Sequence, residues 1–250
     1  MGSTKINKVA EVTLLFFVIK IIATTLGETA GDLLSMTLKV GYGPSSLILM
    51  GVLLITLLMQ IKAKKFYPAL FWLVILTTSI AGTTCSDYID RTLKLGYATG
   101  ALVLLAGLIM VLIAWRVSEK SLSVSQVDNP RIEIFYWVAI LFSNALGTAL
   151  GDYLADDSGL GFLGGALLIA SIIAMIALLS IFTKVNRILL FWSALVLTRP
   201  FGATFGDLLT KPMMEGGLGF GTIGSSTILV ISFIIFVVWS SLKEDRLLYK

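Results

Sequence analysis

The sequence contains one short pattern four times, and this repetition restricts the fold more than any other feature. The pattern is G-x-x-x-[GS]-D, and its four copies end at Asp32, Asp87, Asp152 and Asp207. Successive copies are 55, 65 and 55 residues apart, so aspartates two copies apart are always separated by 120 residues. Two successive duplications of one unit, with a linker between the resulting halves, leave this spacing.

Two further elements recur at fixed distances from each copy. An aromatic residue stands ten positions before the first glycine, and a [VL]-G-[YF] element begins eight positions after the first three aspartates. In the fourth copy that element begins eleven positions after Asp207, behind an insertion that contains Lys211 and Pro212. The aromatic residues are Phe17, Trp72, Trp137 and Trp192. The repeated unit is therefore much longer than the glycine and aspartate pattern itself.

The composition places these repeats in a membrane. Hydrophobic residues make up 57% of the 250 residues and charged residues only 14%, and the mean hydropathy is +0.95, which excludes a soluble globular domain. Eight apolar stretches are long enough to span a bilayer as helices, since backbone polar groups in lipid must bond within the segment. They are predicted at about 12–38, 44–61, 68–89, 97–115, 134–155, 162–183, 188–210 and 222–242.

Each repeat holds two of these helices, so all four repeats enter the membrane in the same direction. The sequence therefore predicts an all-α polytopic membrane protein with eight transmembrane helices arranged as four parallel two-helix repeats. The first half is 1–117, with repeats at about 12–62 and 68–116, and the second half is 134–250, with repeats at about 134–184 and 188–242. The polar segment 118–133 between them is predicted as a cytoplasmic linker.

The basic residues predict the orientation. With the N terminus in the cytoplasm, the inner segments hold thirteen lysines and arginines and the outer connections only four, as the positive-inside rule requires. The four outer ones are Lys39, Arg91, Lys94 and Lys211. We therefore expect a multi-pass plasma-membrane protein with both termini cytoplasmic. The net charge of +4 then reflects topology, and no nucleic-acid partner is expected.

These features together resemble an uncharacterised bacterial family of integral membrane proteins built of four tandem two-helix repeats of unknown function. Repeats of that family carry a characteristic tryptophan, which falls here on Trp72, Trp137 and Trp192. The first repeat has Phe17 instead, so an indole N–H is not required in that copy. The resemblance covers about 12–242. It implies the repeat fold and a bacterial inner-membrane location, but no activity.

Each repeated aspartate ends a polar stripe on its helix. Positions four and eight residues before the aspartate share its face of an α-helix, and seven of these eight positions are polar in otherwise apolar segments. Polar side chains at such depth face a bundle interior or a watery cavity. The stripes consist of Glu28 with Thr24, Thr83 with Ser79, Thr148 with Asn144, and Ala203 with Arg199, and Lys20 extends the first stripe by one turn.

Packing explains part of this pattern without any function. Glycines spaced by four let two helices approach closely, and a buried serine or threonine often only bonds a backbone carbonyl. The aspartates could also be helix-end residues, with Asp87 paired to Arg91 and Asp207 to Lys211 at i,i+4. The glycines expected to pack helices are Gly27, Gly31, Gly82, Gly147, Gly151, Gly202 and Gly206.

Charge balance favours a role for the acidic residues. Asp32 and Asp152 have no basic residue at i+4, and Asp152 is followed at that position by Asp156. The predicted membrane segments hold five acidic residues of the stripes against two basic ones, Lys20 and Arg199, a surplus of three negative charges. A low-dielectric site cannot hold that surplus, so we expect shared protons or a bound cation among the carboxylates. Oxygen ligands without histidine suit Mn²⁺, Mg²⁺, Ca²⁺ or a monovalent ion.

The leading hypothesis is an integral membrane transporter of a small cation, with a divalent metal such as Mn²⁺ handled against protons. The four aspartates and Glu28 are the predicted metal ligands, and the polar stripes are the predicted transport pathway through the first, third, fifth and seventh helices. A divalent cation is the only non-protein group expected. An enzyme is not expected, since the chain lacks histidine and has the single cysteine Cys85, which argues against zinc sites, Ser-His-Asp triads and disulfides.

Two alternatives stay open. Arg199 and Lys20 could hold a small organic anion, because arginine forms paired bonds to carboxylate or phosphate and here precedes the helix-distorting Pro200. These two residues could instead be internal counter-ions for carboxylates on other helices, and Lys20 could accept a proton. The second alternative is a non-transporting scaffold or partner subunit. The lipid bilayer is the expected partner in every case, and assembly into a homo-oligomer stays open.

Overall fold

The computed structural model describes residues 8–10, 12–122, 124, 127 and 129–248, with side chains as far as residue 243. These residues are helical apart from short connections, and eight helices among them are long and apolar enough to cross a membrane. This confirms the all-α class and the eight predicted membrane spans. The helices are α1 (Leu14–Asp32), α2 (Tyr42–Lys62), α3 (Pro68–Asp87), α4 (Tyr97–Glu119), α5 (Pro130–Asp152), α6 (Gly161–Phe182), α7 (Arg187–Thr210) and α8 (Gly221–Leu248).

The segment between the two halves is shorter than predicted. Helix α4 continues to Glu119 and α5 begins at Pro130, so the predicted linker 118–133 loses residues at both ends. Proline fits the first turn of a helix because its missing N–H needs no partner there, and Asn129 caps α5 by accepting a hydrogen bond from the Ile132 N–H at 2.9 Å. Linker residues 123, 125, 126 and 128, the basic residues Lys5 and Lys250, and the side chain of Arg246 lie outside the described residues.

The odd-numbered helices form a closed inner ring. Helix α1 packs against α3, α3 against α5, α5 against α7, and α7 returns to α1. Each even-numbered helix lies outside the ring, on the first helix of the following repeat: α2 on α3, α4 on α5, α6 on α7 and α8 on α1. In the most apolar part of each span, 61 to 67% of the residues of the odd helices are buried, against 17 to 33% for the even helices. The second helix of every repeat therefore separates the next repeat from lipid.

Glycines of the repeated pattern form the contacts between neighbouring inner helices. The first glycine of each copy faces the residue eight positions before the next aspartate, so Gly27 faces Ser79 and Gly82 faces Asn144. An added Cβ on Gly82 would lie 2.9 Å from the Asn144 Cβ, closer than packed side chains allow. Gly147 faces Arg199 and Gly202 faces Thr24 in the same way, while Gly31, Gly151 and Gly206 face Thr83, Ala203 and Glu28 one turn nearer the aspartates.

Aromatic side chains close the end of the ring that lies farthest from the aspartates. Positions sixteen residues before each aspartate carry Phe16, Phe71, Tyr136 and Phe191, and all four are buried. The ring centroid of Phe16 lies 6.4 Å from that of Phe71 and 6.2 Å from that of Phe191. At the usual helical rise this aromatic layer lies about 24 Å from the aspartates.

Two contacts attach the segments outside the ring to the same end. Lys8 precedes α1, and its Nζ lies 2.9 Å from Glu133 Oε2 on α5. The Trp192 indole Nε1 on α7 donates to the carbonyl of Leu122 in the linker at 3.2 Å. Lys8 and Leu122 therefore both lie against the inner helices.

The chain leaves the first three inner helices through a wide π-helical turn directly after the aspartate. These turns are Leu33–Thr37, Tyr88–Thr92 and Tyr153–Asp157. In the fourth repeat α7 stays α-helical to Thr210, and a short 3₁₀ turn follows at Met213–Glu215. The insertion seen in the sequence therefore gives the fourth repeat a different connection after its aspartate.

Candidate ion site

Each repeated aspartate ends the α-helical part of an inner helix or lies in its last turn, and each is buried. The exposed fraction is 5% for Asp32, 1% for Asp87, 2% for Asp152 and 5% for Asp207. Aspartates that faced lipid head groups at the rim would remain open to water. Buried carboxylates need partners, and the structure groups the four into two sites.

Site A joins the fourth repeat to the first and consists of Glu28, Asp32, Asp207 and Lys211. Lys211 Nζ lies 3.5 Å from Asp32 Oδ2 and 3.3 Å from Asp207 Oδ1. One carboxylate oxygen from each of Glu28, Asp32 and Asp207 lies within 4.8 Å of the others, and all three residues are buried. Site A thus offers three oxygen ligands at a spacing that one metal ion can bridge.

Site B joins the second repeat to the third and consists of Asp87, Arg91 and Asp152, with Tyr42 and Tyr97 beside them. Arg91 Nε lies 3.3 Å from Asp87 Oδ1, and Arg91 Nη2 donates to Asp152 Oδ2 at 3.1 Å. The Arg91 Cζ lies 5.9 Å from the ring centre of Tyr42 and 5.4 Å from that of Tyr97, within the range of cation–π attraction. The guanidinium of site B is therefore held by two carboxylates and two aromatic rings.

The structure provides partners for Asp32 and Asp152 that the sequence pattern does not show. Asp32 and Asp152 have no basic neighbour along their own helices, but Lys211 and Arg91 reach them from adjacent repeats. Asp156, the residue at i+4 from Asp152, accepts a hydrogen bond from the Tyr97 hydroxyl on α4 at 3.1 Å. Both outcomes follow from closure of the ring, which brings each aspartate next to the repeat that precedes it.

The charge surplus is smaller than the sequence indicates. The surplus of three negative charges counts only Lys20 and Arg199, because Arg91 and Lys211 fall in predicted outer connections. The structure brings both of these into contact with the buried aspartates. Five carboxylates then face Arg91, Arg199 and Lys211, and the two remaining negative charges call for a proton or a cation.

Arg199 occupies the centre of the ring, one helical turn below the aspartates. Its Nη2 donates to Glu28 Oε2 and Thr148 Oγ1, both at 2.8 Å, and also to Thr83 Oγ1. Its Nη1 donates to the Thr24 carbonyl oxygen at 3.0 Å. One fully buried guanidinium therefore binds residues of all three other repeats. The direct path along the ring axis is filled at this level.

Ala203 explains why this layer has room for a guanidinium. It holds the position four residues before its aspartate, where the other repeats carry Glu28, Thr83 and Thr148. The methyl group of Ala203 is small and buried, so the long side chain of Arg199 from one turn lower fills the fourth place in the layer. Ala203, the single apolar member of the predicted stripes, thus leaves the space that the single arginine of the stripes occupies.

Lys20 differs from Arg199 in its partners. Its Nζ donates to Asn144 Oδ1 at 3.2 Å, and Asn144 Nδ2 donates in turn to Thr78 Oγ1 at 3.2 Å. No ion pair of the described side chains includes Lys20. Among the described residues the structure thus shows no counter-ion pair for Lys20, whereas Arg199 forms one with Glu28.

The remaining hydroxyl groups of the predicted pathway bond mainly to backbone carbonyls. Thr24 Oγ1 donates to the Ile21 carbonyl at 3.0 Å, and Thr83 Oγ1 donates to the Gly27 carbonyl of the neighbouring helix at 3.2 Å. The Ser79 hydroxyl is buried and has no hydrogen-bond partner among the residues that the structure describes. These contacts are typical of packed helices.

Sequence reasoning missed the bridging roles of Arg91 and Lys211, although a signal is present. A basic residue follows the aspartate by four positions in the second and fourth repeats, whereas Met36 and Asp156 stand there in the first and third. Each base therefore serves its own aspartate and that of the following repeat. The presence of a basic residue at this position in every second repeat was the signal in the sequence.

Lys211 lies directly after the membrane span of α7. Burial lowers the pKa of its amine, but the nearby carboxylates of Asp207 and Asp32 outweigh burial, so the pKa lies above its usual value. Lys211 therefore remains a cation at neutral pH.

The four repeats match a known protein family. The family described as Repeat of Unknown Function (DUF347) matches the chain four times, at residues 15–66, 70–121, 135–186 and 190–245. The chain belongs to this family. Each DUF347 repeat covers one inner helix and the outer helix that follows it, which confirms the resemblance drawn from the sequence. No curated protein and no solved structure matches the chain.

Proposed function

We propose that the protein is an integral membrane transporter of a small cation, with a divalent metal such as Mn²⁺ moved against protons. The observation that carries the proposal is site A, where oxygens of Glu28, Asp32 and Asp207 converge within 4.8 Å in a buried position. Carboxylate oxygens are the ligands that hard cations prefer. Ionisable groups at membrane depth typically mark the path of an ion or a proton.

The charge balance supports coupling between the cation and protons. Sites A and B hold five carboxylates and three basic groups, which leaves one negative charge in each site to be neutralised. A proton or a cation can each supply the compensating charge. Exchange of one for the other would couple cation entry to proton release.

Passage of the cation requires the ring to change conformation. Arg199 fills the axis below the aspartates through its bonds to Glu28 and Thr148, and the aromatic layer that contains Phe71 and Tyr136 closes the far end. In the proposed cycle a cation enters site A from the aspartate side and binds Glu28 beside Arg199. The inner helices then separate at the aromatic end, while the outer helices keep their contact with lipid.

The proposal includes a location and an orientation. The excess of lysine and arginine in alternate connections supports a bacterial inner-membrane protein with both termini in the cytoplasm. Sites A and B would then lie on the periplasmic side, and the aromatic layer on the cytoplasmic side.

The organic-anion alternative has less support. An anion would have to bind Arg199 and Lys20, but Arg199 is already bonded to the Glu28 carboxylate at 2.8 Å and Lys20 to Asn144. A non-transporting scaffold has no specific observation in its favour, and it is an outcome of the test below.

The test is Mn²⁺ uptake into proteoliposomes that contain the purified full-length protein, an internal Mn²⁺ indicator and an imposed pH gradient. We expect uptake with proton counterflow for the wild type. Asp32→Asn and Asp207→Asn, which each remove one ligand charge from site A, should reduce uptake by about 10-fold or more. The matched control is Asp152→Asn, which changes the equivalent residue of site B and should keep most of the uptake.

Folding of each variant is checked by gel filtration and by helical circular dichroism in the same detergent. If vesicles with folded wild-type protein move neither Mn²⁺, Mg²⁺ or Ca²⁺ nor Na⁺ or K⁺, the transport proposal is wrong and the scaffold alternative is favoured. If Asp152→Asn abolishes uptake while Asp32→Asn does not, site A is not the site of binding.

A further inference from the structure

Site A contains a positive charge on a connection that only the fourth repeat has. Lys211 directly follows Thr210, the last residue of α7, and belongs to the insertion found in this repeat. Its counterpart in site B, Arg91, lies inside the π-helical turn Tyr88–Thr92. The two bridging cations are therefore carried by different backbone structures.

The connection after α7 holds the backbone of Lys211 in place. The Lys211 N–H donates to the Asp207 carbonyl at 2.8 Å, and the Gly219 N–H donates to the Lys211 carbonyl at 2.9 Å. Gly217 lies so close that an added Cβ there would be 2.9 Å from the Lys211 Cβ. The ammonium can therefore leave the aspartates by rotation of the side chain alone, without rearrangement of the loop.

The ammonium of Lys211 is held less firmly than the guanidinium of site B. Its two ion pairs are 3.3 and 3.5 Å long, compared with 3.1 and 3.3 Å for the two pairs of Arg91. Arg91 also packs against the rings of Tyr42 and Tyr97, whereas lysine offers a compact charge on a flexible stem. The Lys211 side chain is 19% exposed, so water can receive the displaced ammonium.

We propose that Lys211 is a tethered counter-ion that holds the cation position of site A and is displaced into water by an incoming divalent cation. This inference rests on the proposed function and narrows its substrate class. With Lys211 in place, three carboxylates of site A face two cations, Lys211 and Arg199, which leaves one negative charge. With Lys211 displaced, two negative charges remain. A divalent ion neutralises both and a monovalent ion does not, so site A discriminates by charge.

Competition between the ammonium and the metal predicts opposite effects for two substitutions. Lys211→Met removes the competitor, so the Kd for Mn²⁺ should fall by about 10-fold or more. Lys211→Arg introduces a guanidinium that can form paired bonds to Asp32 and Asp207 and is harder to displace, so the Kd should rise. A residue with a merely structural role would not move the Kd in opposite directions.

The experiment is isothermal titration calorimetry with Mn²⁺ on the purified full-length protein in detergent micelles. Arg91→Met is the matched control in site B and should change the Kd much less than Lys211→Met does. Equal or weaker binding by a folded Lys211→Met protein overturns the inference while the proposed function stands. If neither the wild type nor Lys211→Met binds Mn²⁺, and vesicles show no uptake, the proposed function itself has failed.

A second measurement uses the wild type and does not depend on folding of a variant. Modification of Lys211 by an amine-reactive ester is followed by mass spectrometry, with the exposed outer residues Lys39 and Lys94 as internal references. Displacement predicts that saturating Mn²⁺ accelerates the labelling of Lys211 relative to both references, and that Na⁺ does not. An unchanged or slower rate at saturating Mn²⁺ overturns the inference.

Discussion

Sites A and B are built from the same repeated unit, yet they hold their cations in different ways. In both, a base four residues after one aspartate also reaches the aspartate of the next repeat. Site B holds a guanidinium beside two tyrosine rings, whereas site A holds an ammonium beside a third carboxylate. Duplication therefore placed equivalent acidic groups, and later substitutions made the two sites chemically different.

Two substitutions account for most of this asymmetry. Glu28 corresponds to Thr148 in the other half of the chain, and Arg199 corresponds to Ser79. The equivalent positions Thr148 and Ser79 carry no charge, so the ion pair between Glu28 and Arg199 occurs only once in the ring. It adds a third carboxylate to site A and brings a compensating charge from the opposite end of the sequence.

The largest effect is expected when this pair is broken. Arg199→Met leaves Glu28 buried without its ionic partner, which should lower the free energy of unfolding by about 3–5 kcal/mol. The matched control is Ser79→Ala in the other half, which should cost less than about 1 kcal/mol because the hydroxyl has no partner among the described residues. Unfolding of the micelle-bound protein by SDS, followed by circular dichroism, measures both.

A double variant sharpens this result. Adding Glu28→Gln to Arg199→Met removes the unpaired buried charge and should recover part of the lost stability. No recovery would show that the pair of Glu28 and Arg199 is not the source of the difference between the two halves.

The next effect concerns the close helix contact that positions Arg199. An added Cβ on Gly147 would lie 2.8 Å from the Pro200 Cδ, so Gly147→Ala should destabilise the protein by about 1–3 kcal/mol. Gly51→Ala on α2 is the control, since no atom lies within 4 Å of its added Cβ, and alanine favours the helix there. Thermal unfolding in detergent checks both, and equal effects would contradict a role for close approach at Gly147.

A smaller effect compares the two bridging cations directly. Arg91→Met removes two ion pairs and two ring contacts of a half-buried side chain and should cost about 1–2 kcal/mol. Lys211→Met removes two ion pairs but no ring contact and should cost less than about 1 kcal/mol. The same SDS unfolding assay ranks them. The reverse order would contradict the view that site B is fixed and that site A can exchange its cation.

The smallest effect separates the ring of Tyr97 from its hydroxyl. Tyr97→Phe loses an exposed hydrogen bond to Asp156 and should cost about 0.5 kcal/mol or less. Tyr97→Leu also removes the ring beside Arg91 and should cost about 0.5–1 kcal/mol more. Equal stabilities of the two variants, measured by thermal unfolding, would show that the ring does not help to hold the guanidinium.

The fold could be predicted from the sequence because its determinants act within single helices and recur. Apolar length predicts each membrane span, and the position of Gly82 or Gly147 predicts which face of the helix meets a neighbour. The linker was the exception. Counting apolar residues placed the start of α5 too late, since the cap at Asn129 and the proline at Pro130 determine where that helix begins.

The candidate site could be predicted only in part. The polar stripes predict that the aspartates are buried, but not which bases they meet. Lys20 and Arg199 look equivalent in the sequence. In the structure, however, Arg199 forms an ion pair with Glu28, and Lys20 donates a hydrogen bond to Asn144. The difference depends on which helix lies opposite each residue, and a helical periodicity carries no information about that.

By itself the sequence determined the four parallel hairpins, their place in the membrane and the polar face of each inner helix. Hydrophobic length and glycine spacing act over one or two helical turns, so a linear pattern can carry them. Only the tertiary structure decided which charges meet. Packing of α7 against α1 brings Lys211 to Asp32, which is 179 positions away in the sequence. Packing of α3 against α5 brings Arg91 to Asp152, which is 61 positions away. Coulomb attraction depends on distance in space, and the closure of a ring sets that distance.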